Sequence, residues 1–123
     1  MPIVLVVDCE VTICTYFCDY LRSFGFLGWG VESADNAIRL LDLGIAADLV
    51  FSDVRMPGRY DGLGLARWIC EHRPELPVIL TTGAITRETA LLCHAETLPK
   101  PYDLDSAISL IRQAIERHRT AAH

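Results

Sequence analysis

The feature that most constrains the fold is a set of short apolar runs that recur along the chain. They span Ile3–Val7, Asp48–Ser52 and Val78–Thr82 and are rich in Val, Ile and Leu. A strand with one face in water alternates apolar and polar residues, whereas a parallel strand covered on both faces is apolar nearly throughout. We therefore predict three interior strands of a parallel sheet.

Between these runs the apolar residues recur at helical spacing, which places them on one face of a helix. Gly25 follows the first such segment and is typical of a helix C-terminus, while Asp35 and Asp61 occupy positions where helix N-caps are expected. Two weaker strands are predicted at Leu27–Glu32, which contains two glycines, and around Thr97 and Leu98. The helical segments contain Ile13, Phe17, Leu21 and Phe24; Ala37, Ile38 and Leu41; Leu65, Trp68 and Ile69; and Leu104–Arg117.

Strands that alternate with helices predict a doubly wound α/β fold, because parallel strands need helical crossovers that cover both faces of the sheet. At 123 residues the chain matches one ordinary domain, and we assign residues 1–123 to it. In such folds the functional site forms beyond the carboxyl ends of the strands, where the strand order reverses.

The charge of the chain argues against two classes of partner. With 11 Lys and Arg against 16 Asp and Glu, the formal net charge is -5. An acidic surface repels nucleic-acid phosphates and anionic lipid headgroups, so we predict neither a nucleic-acid nor a membrane partner. The apolar run at the N-terminus is too short for a membrane span or a signal-peptide core, which favours a cytoplasmic location.

The five cysteines are odd in number and lack the paired spacing of a structural zinc site. Cys14 and Cys18 lie four residues apart, so they share one face of the first predicted helix. Such a pair can bind a metal ion or respond to oxidation. We favour the alternative, in which both thiols serve as small apolar packing groups.

Polar residues follow the predicted strands at the edge where a functional site is expected. Asp8 with Glu10 follows the first strand, Asp53 the third and Lys100 the fifth, while Thr82 closes the fourth. A carboxylate near other acidic groups, a hydroxyl and a lysine can form a cation-dependent phosphoryl site. A phosphoryl group on Asp53 brings negative oxygens beside other carboxylates, so a hard divalent cation such as Mg²⁺ is needed to offset the repulsion.

Four motifs stand in order at the ends of these strands: V-V-D-C-E, S-D-V-R-M-P-G, L-T-T-G and K-P-Y. Together they resemble the response-regulator receiver domains of two-component signalling, over essentially the whole chain. The resemblance implies a CheY-like, flavodoxin-like sheet with strand order 2-1-3-4-5 and five helices.

The same resemblance implies a role for each residue of the site. It makes Asp53 the phosphoacceptor and places Asp8 and the backbone carbonyl of Arg55 at the cation. Thr82 and Lys100 then contact phosphoryl oxygens, and the peptide bond between Lys100 and Pro101 is expected to be cis.

The largest departure from the family pattern is Cys9. The family usually has two acidic residues in tandem after the first strand, and the second is a cation ligand; here Cys9 takes its place. A thiol is a soft ligand that suits Mg²⁺ poorly. Asp8 and Asp53 remain as cation ligands, and Glu10 is a further candidate. We therefore predict weakened Mg²⁺ binding and slower phosphorylation, not loss of the site. Mn²⁺ or Zn²⁺ bound through the thiolate is the alternative.

Two further departures concern the face that reports phosphorylation. Thr97 stands where the family commonly has Tyr or Phe, three residues before Lys100. The segment between Thr82 and Lys100 is about one helical turn shorter than usual, which predicts a short or irregular fourth helix. Tyr102 is interpreted as a packing residue, although it is the nearest aromatic that could take over the missing role.

Two hypotheses about function follow from the resemblance. In the first, the chain accepts a phosphoryl group on Asp53 from a histidine kinase or a histidine phosphotransfer protein, promotes only its own phosphorylation and dephosphorylation, and is otherwise not an enzyme. In the second, it is a pseudo-receiver that docks partners without phosphorylation. Cys9 and Thr97 favour the second, whereas the set of Asp53, Thr82 and Lys100 favours the first. A further alternative is an enzyme or a flavin carrier on the same architecture. It is disfavoured because the chain lacks the glycine-rich phosphate loop that such a protein would need.

Overall fold

The computed structural model describes residues 1–83 and 95–121 of the chain. Five parallel strands form one sheet, in which the second strand along the chain lies at one edge and is followed by the first, third, fourth and fifth. This confirms the predicted doubly wound sheet with order 2-1-3-4-5. The elements are β1 (Ile3–Val7), α1 (Val11–Ser23), β2 (Leu27–Val31), α2 (Ala34–Asp42), β3 (Leu49–Asp53), α3 (Gly62–His72), β4 (Val78–Thr82), β5 (Ala95–Pro99) and a C-terminal helix (Leu104–Ala121).

Successive residues of β1 contact opposite sides of the sheet, and two apolar cores result. Val4 and Val6 pack with α1 and the C-terminal helix, whereas Leu5 and Val7 pack with α2 and α3. All four are at most 3% exposed, which explains why the run contains no polar residue. The predicted helix between β4 and β5 falls on residues 84–94, outside the described residues.

The two glycines of β2 let α1 pack unusually close to this edge strand. A Cβ atom on Gly28 would lie 2.8 Å from Cys18 Cα, and one on Gly30 would lie 2.7 Å from Cys14 Sγ. Real Cβ atoms do not approach other atoms this closely, so Gly28 is required while α1 stays in place, and Gly30 is required while the Cys14 side chain keeps its position. The glycines therefore mark the surface against which the two cysteines pack.

The cysteine pair is consistent with the packing interpretation. Cys14 and Cys18 are free thiols, 7% and 8% exposed, in the core under α1. Burial raises the pKa of Cys14, and it raises the pKa of Cys18 to about 12. Both thiols are therefore protonated at neutral pH, which is the form least suited to metal binding or oxidation.

The N-caps of two helices confirm one prediction from the sequence and correct another. Asp61 is the N-cap of α3, as predicted, and its carboxylate accepts a hydrogen bond from Gly64 N at 2.8 Å. The prediction that Asp35 caps α2 is wrong, because Ser33 does so by accepting from Asn36 N at 3.1 Å. Asp35 lies inside the first turn of α2, where its carboxylate accepts hydrogen bonds from the backbone of Arg59 and Tyr60.

Within the described residues, no helix is long and apolar enough to cross a membrane.

Candidate functional site

The carboxyl ends of the strands bring the predicted site residues to one edge of the sheet. Asp53 is the last residue of β3 and pairs in register with Thr81 of β4, while Lys100 directly follows β5. The backbone N–H of Lys100 donates to the carbonyl oxygen of Thr82 at 2.7 Å, which ties the lysine to the end of β4. The peptide bond between Lys100 and Pro101 is cis, as predicted.

Asp53 and Lys100 form an ion pair at the centre of this edge. Lys100 Nζ lies 3.0 Å from Asp53 Oδ1, and the two side chains are 40% and 17% exposed, respectively. The carboxylate is thus mostly enclosed, whereas the ammonium group remains open to water. Such a pair is charge-assisted and fixes the direction of both side chains.

A cavity of about 460 Å³ opens beside this ion pair. Asp8 reaches it from the end of β1, and Glu10 reaches it from the turn before α1. Thr82 is buried at the end of β4 and is not among the residues that line the cavity. The lining residues are Val6, Val7, Asp8, Glu10, Ile13, Cys14, Phe17, Phe51, Asp53, Thr81, Lys100, Pro101 and Tyr102.

Neither Cys9 nor Arg55 is among the described residues that line this cavity. Cys9 is an exposed free thiol. Its neighbour Asp8 is half-buried and holds the turn, because Asp8 Oδ1 accepts from Glu10 N at 2.9 Å. The backbone N of Asp8 donates to Val31 O at 3.0 Å, so the turn is fixed from both sides.

The chemistry of the donor set suits a hard cation in part. The carboxylates of Asp8, Glu10 and Asp53 line the cavity, and oxygen donors are the ligands that Mg²⁺ prefers. In the described ranges 1–83 and 95–121, no three His, Cys, Asp or Glu side chains come together to hold a metal ion. The cavity therefore offers a cation carboxylate oxygens, but the described residues do not form a set of three acidic, Cys or His ligands around one point.

Tyr102 packs against the apolar core, in agreement with its interpretation as a packing residue, and it also lines the acidic cavity. Its ring meets Phe51 edge to face at 6.0 Å, and Phe51 stacks on Phe17 at 4.7 Å. Burial, and after it the negative charges of Asp8 and Asp53, raises the pKa of Tyr102. The phenol therefore stays protonated beside the carboxylates. Its position directly after Lys100-Pro101 was the one signal in the sequence for this placement.

Thr97 takes the position, three residues before Lys100, at which the family commonly has Tyr or Phe. It is half-buried on β5, where it pairs in register with Leu80. Among the described residues near the site, the aromatic side chains that border the cavity are Phe17, Phe51 and Tyr102.

The comparison with known proteins agrees with this architecture. The response regulator receiver domain family matches residues 4–112. The DNA-binding transcriptional regulator NtrC of Escherichia coli (strain K12) is 38% identical over 76 residues, which cover 58% of this chain and 16% of NtrC. The crystal structure of a receiver domain protein from Clostridium thermocellum superposes with a TM-score of 0.89 at 25% identity, covering 98% of this chain and 99% of the other.

A longer protein contains a similar domain. NtrX from Brucella abortus superposes with a TM-score of 0.84 at 32% identity, covering 98% of this chain and 28% of NtrX. The chain therefore spans a small part of NtrC and NtrX. Receiver domains of this type accept phosphoryl groups from histidine kinases, generally bind Mg²⁺ at the phosphorylation site and are generally not classical enzymes. By fold and by sequence, the chain belongs to the response regulator receiver domain family of two-component signalling.

Proposed function

We propose that this receiver domain accepts a phosphoryl group on Asp53 from the phosphohistidine of a histidine kinase or a histidine phosphotransfer protein. The observation that carries the proposal is the ion pair between Asp53 and Lys100 at the mouth of an acidic cavity. In the transfer, a carboxylate oxygen of Asp53 bonds to phosphorus. The bond between phosphorus and the histidine nitrogen breaks, and the leaving imidazole takes the electron pair.

The residues of this chain position the transferred group. Asp53 is held by the ion pair, and Lys100 can exchange its contact with Oδ1 for one with a phosphoryl oxygen. Thr82, which is the last residue of β4, would donate its hydroxyl hydrogen to another oxygen. Asp8, Asp53 and the carbonyl of Arg55 would hold Mg²⁺, which when bound supplies the positive charge that offsets the phosphoryl oxygens.

The cation site is proposed to be weak. Cys9 replaces a carboxylate and lies exposed, so one hard ligand fewer is available. Glu10 lines the cavity and could supply a water-mediated contact. We therefore expect Mg²⁺ affinity and the phosphorylation rate to be low for a receiver domain, with Mn²⁺ as a substitute.

The second candidate function is a pseudo-receiver that binds partners without phosphorylation. Two observations favour it: Cys9 is exposed, and Thr97 stands where the family commonly has Tyr or Phe. Both would be neutral for a docking module and costly for a phosphorylation switch.

Beryllofluoride with Mg²⁺, which mimics an aspartyl phosphate, separates the two functions. We expect it to shift the amide signals of Asp8, Asp53 and Lys100 in the wild type and to have no effect on Asp53→Asn. Asp61→Asn is the matched control, because it replaces a carboxylate at the far end of the same loop while asparagine still caps α3. Equal responses of the wild type and Asp53→Asn, or none in either, would favour the pseudo-receiver.

A further inference from the structure

The loop between β3 and α3, residues 54–61, is held from outside by a carboxylate of α2. Asp35 Oδ1 accepts a hydrogen bond from Tyr60 N at 2.9 Å, and Asp35 Oδ2 accepts one from Arg59 N at 3.3 Å. Asp35 is half-buried in the first turn of α2. One side chain thus joins the loop to a helix more than 20 residues earlier in the chain.

Gly58 brings the loop close to this carboxylate. Its φ of 117° lies in the region that favours glycine, and a Cβ atom at this position would stand 3.3 Å from Asp35 Oδ1. The turn at Gly58 is followed directly by the two amides, of Arg59 and Tyr60, that donate to Asp35. The loop and the carboxylate are therefore matched to each other.

Backbone hydrogen bonds close the base of the loop, where its two ends meet. Gly62 N donates to Val54 O at 2.8 Å, and Val54 N donates to Thr81 O at 3.0 Å. Arg55 and the buried Met56 lie between this closed base and the amides that Asp35 holds. The short segment that contains the Arg55 carbonyl is thus restrained at both ends.

We propose that Asp35 is a positioning residue for the cation site. Its two hydrogen bonds hold the loop so that the Arg55 carbonyl can serve as a ligand beside Asp53. This inference rests on the proposed function, because it assigns Asp35 to the same cation. A ligand on a loop that must be ordered upon binding costs conformational entropy, whereas a restrained loop does not. Groups that hold metal ligands in place typically change metal affinity by about 10-fold to 100-fold when removed.

The test measures Mg²⁺ affinity by calorimetry on the full chain. We expect Asp35→Ala to weaken Mg²⁺ binding about 10-fold. Asp35→Asn should fall between this variant and the wild type, because its one amide oxygen can accept one of the two hydrogen bonds. In the metal-free protein, the amides of Arg59 and Tyr60 should exchange with solvent faster in Asp35→Ala.

Two control variants separate positioning from general destabilisation and from charge. Ser33→Ala removes the N-cap of α2 and lowers stability, but it leaves the loop contacts in place. Asp42→Ala removes an equal charge from the exposed end of the same helix. We expect both to bind Mg²⁺ within about twofold of the wild type, since neither side chain has a described hydrogen bond or ion pair to the loop.

The outcomes distinguish this inference from the proposed function. Wild-type affinity in Asp35→Ala, or an equal loss in Ser33→Ala, would overturn the positioning role and leave the function of Asp53 intact. If the wild type shows no Mg²⁺ binding that depends on Asp53, then the proposed function fails, and the positioning role fails with it.

Discussion

Lys100 Nζ lies 3.0 Å from Asp53 Oδ1, and the backbone N–H of the same lysine donates to Thr82 O at 2.7 Å. One residue therefore links the ends of β3, β4 and β5 at the point where the acidic cavity opens. The carboxylate of Asp53 therefore has a positive partner in Lys100 and shares the cavity with the carboxylate of Asp8.

The first prediction concerns this lysine. Lys100→Gln removes the charge but keeps a side chain of similar length, so we expect the phosphorylation rate of Asp53 to fall about 10-fold to 100-fold. A hydrogen bond to a charged group contributes about 1.5–3 kcal/mol, and about 1.4 kcal/mol corresponds to a factor of ten. The rate is measured by quenched phosphorylation with a small phosphodonor. Lys100→Arg, which keeps the charge, should recover part of the loss, and a wild-type rate in Lys100→Gln would remove the lysine from the mechanism.

The second prediction concerns the missing cation ligand. Cys9→Asp restores a second carboxylate beside Asp8, so we expect Mg²⁺ to bind on the order of tenfold more tightly, as one added negative charge near the site accounts for at least about 1.4 kcal/mol. The phosphorylation rate should rise with it. Cys9→Asn is the control of equal shape without the charge. Unchanged affinity in Cys9→Asp would show that Cys9 is not the limiting feature.

The third prediction uses the close packing of α1 on β2. Gly30→Ala should destabilise the protein by about 1–3 kcal/mol, because its Cβ would meet Cys14 Sγ at 2.7 Å. Cys14→Ala removes that sulfur, so the double variant should lose less stability than the two single losses added together. Urea denaturation of the four proteins measures this coupling.

Gly28 supplies the contrasting case for that double-mutant cycle. Its Cβ would meet Cys18 Cα at 2.8 Å and Cys18 Cβ at 2.9 Å, and both atoms remain in Cys18→Ala. Gly28→Ala should therefore stay destabilised in the double variant. Rescue at both positions, or at neither, would contradict the described packing of α1.

These elements also show what the sequence could and could not predict. Ile3–Val7 and Val78–Thr82 were predicted with the bounds that the structure has, because a strand buried on both faces leaves an uninterrupted apolar run. The sequence predicts β2 less clearly, because Gly28 and Gly30 disfavour strands in general. The glycines are needed because α1 packs closely on β2. No local sequence pattern encodes the distance between these two elements.

Asp35 illustrates the same limit at the site. Ser33 and Asp35 are both good N-caps, and sequence alone does not distinguish them. The deciding partners are the amides of Arg59 and Tyr60, which become neighbours only when the sheet forms. By contrast, the convergence of Asp8, Asp53 and Lys100 could be predicted, because parallel strands bring their carboxyl ends to one edge.

The fourth prediction concerns the pH response of Tyr102. Burial is the main cause of its raised pKa, and the charges of Asp8 and Asp53 add to it because they disfavour a phenolate nearby. Asp53→Asn removes one of these charges, so the pKa of Tyr102 should fall in that variant and still remain above the ordinary value of about 10. Titration of the tyrosine ring signals by NMR, with Tyr102→Phe for assignment, measures the shift. A rise in Asp53→Asn would contradict the arrangement of the cavity.

The most direct test of the central claim is the intact mass of the chain after incubation with acetyl phosphate and Mg²⁺. We predict that the wild type gains the mass of one phosphoryl group, that peptide mapping places it on Asp53, and that Asp53→Asn gains none while Asp61→Asn behaves as the wild type. An equal gain in Asp53→Asn, or no gain in either the wild type or Cys9→Asp, would contradict the assignment of Asp53 as phosphoacceptor.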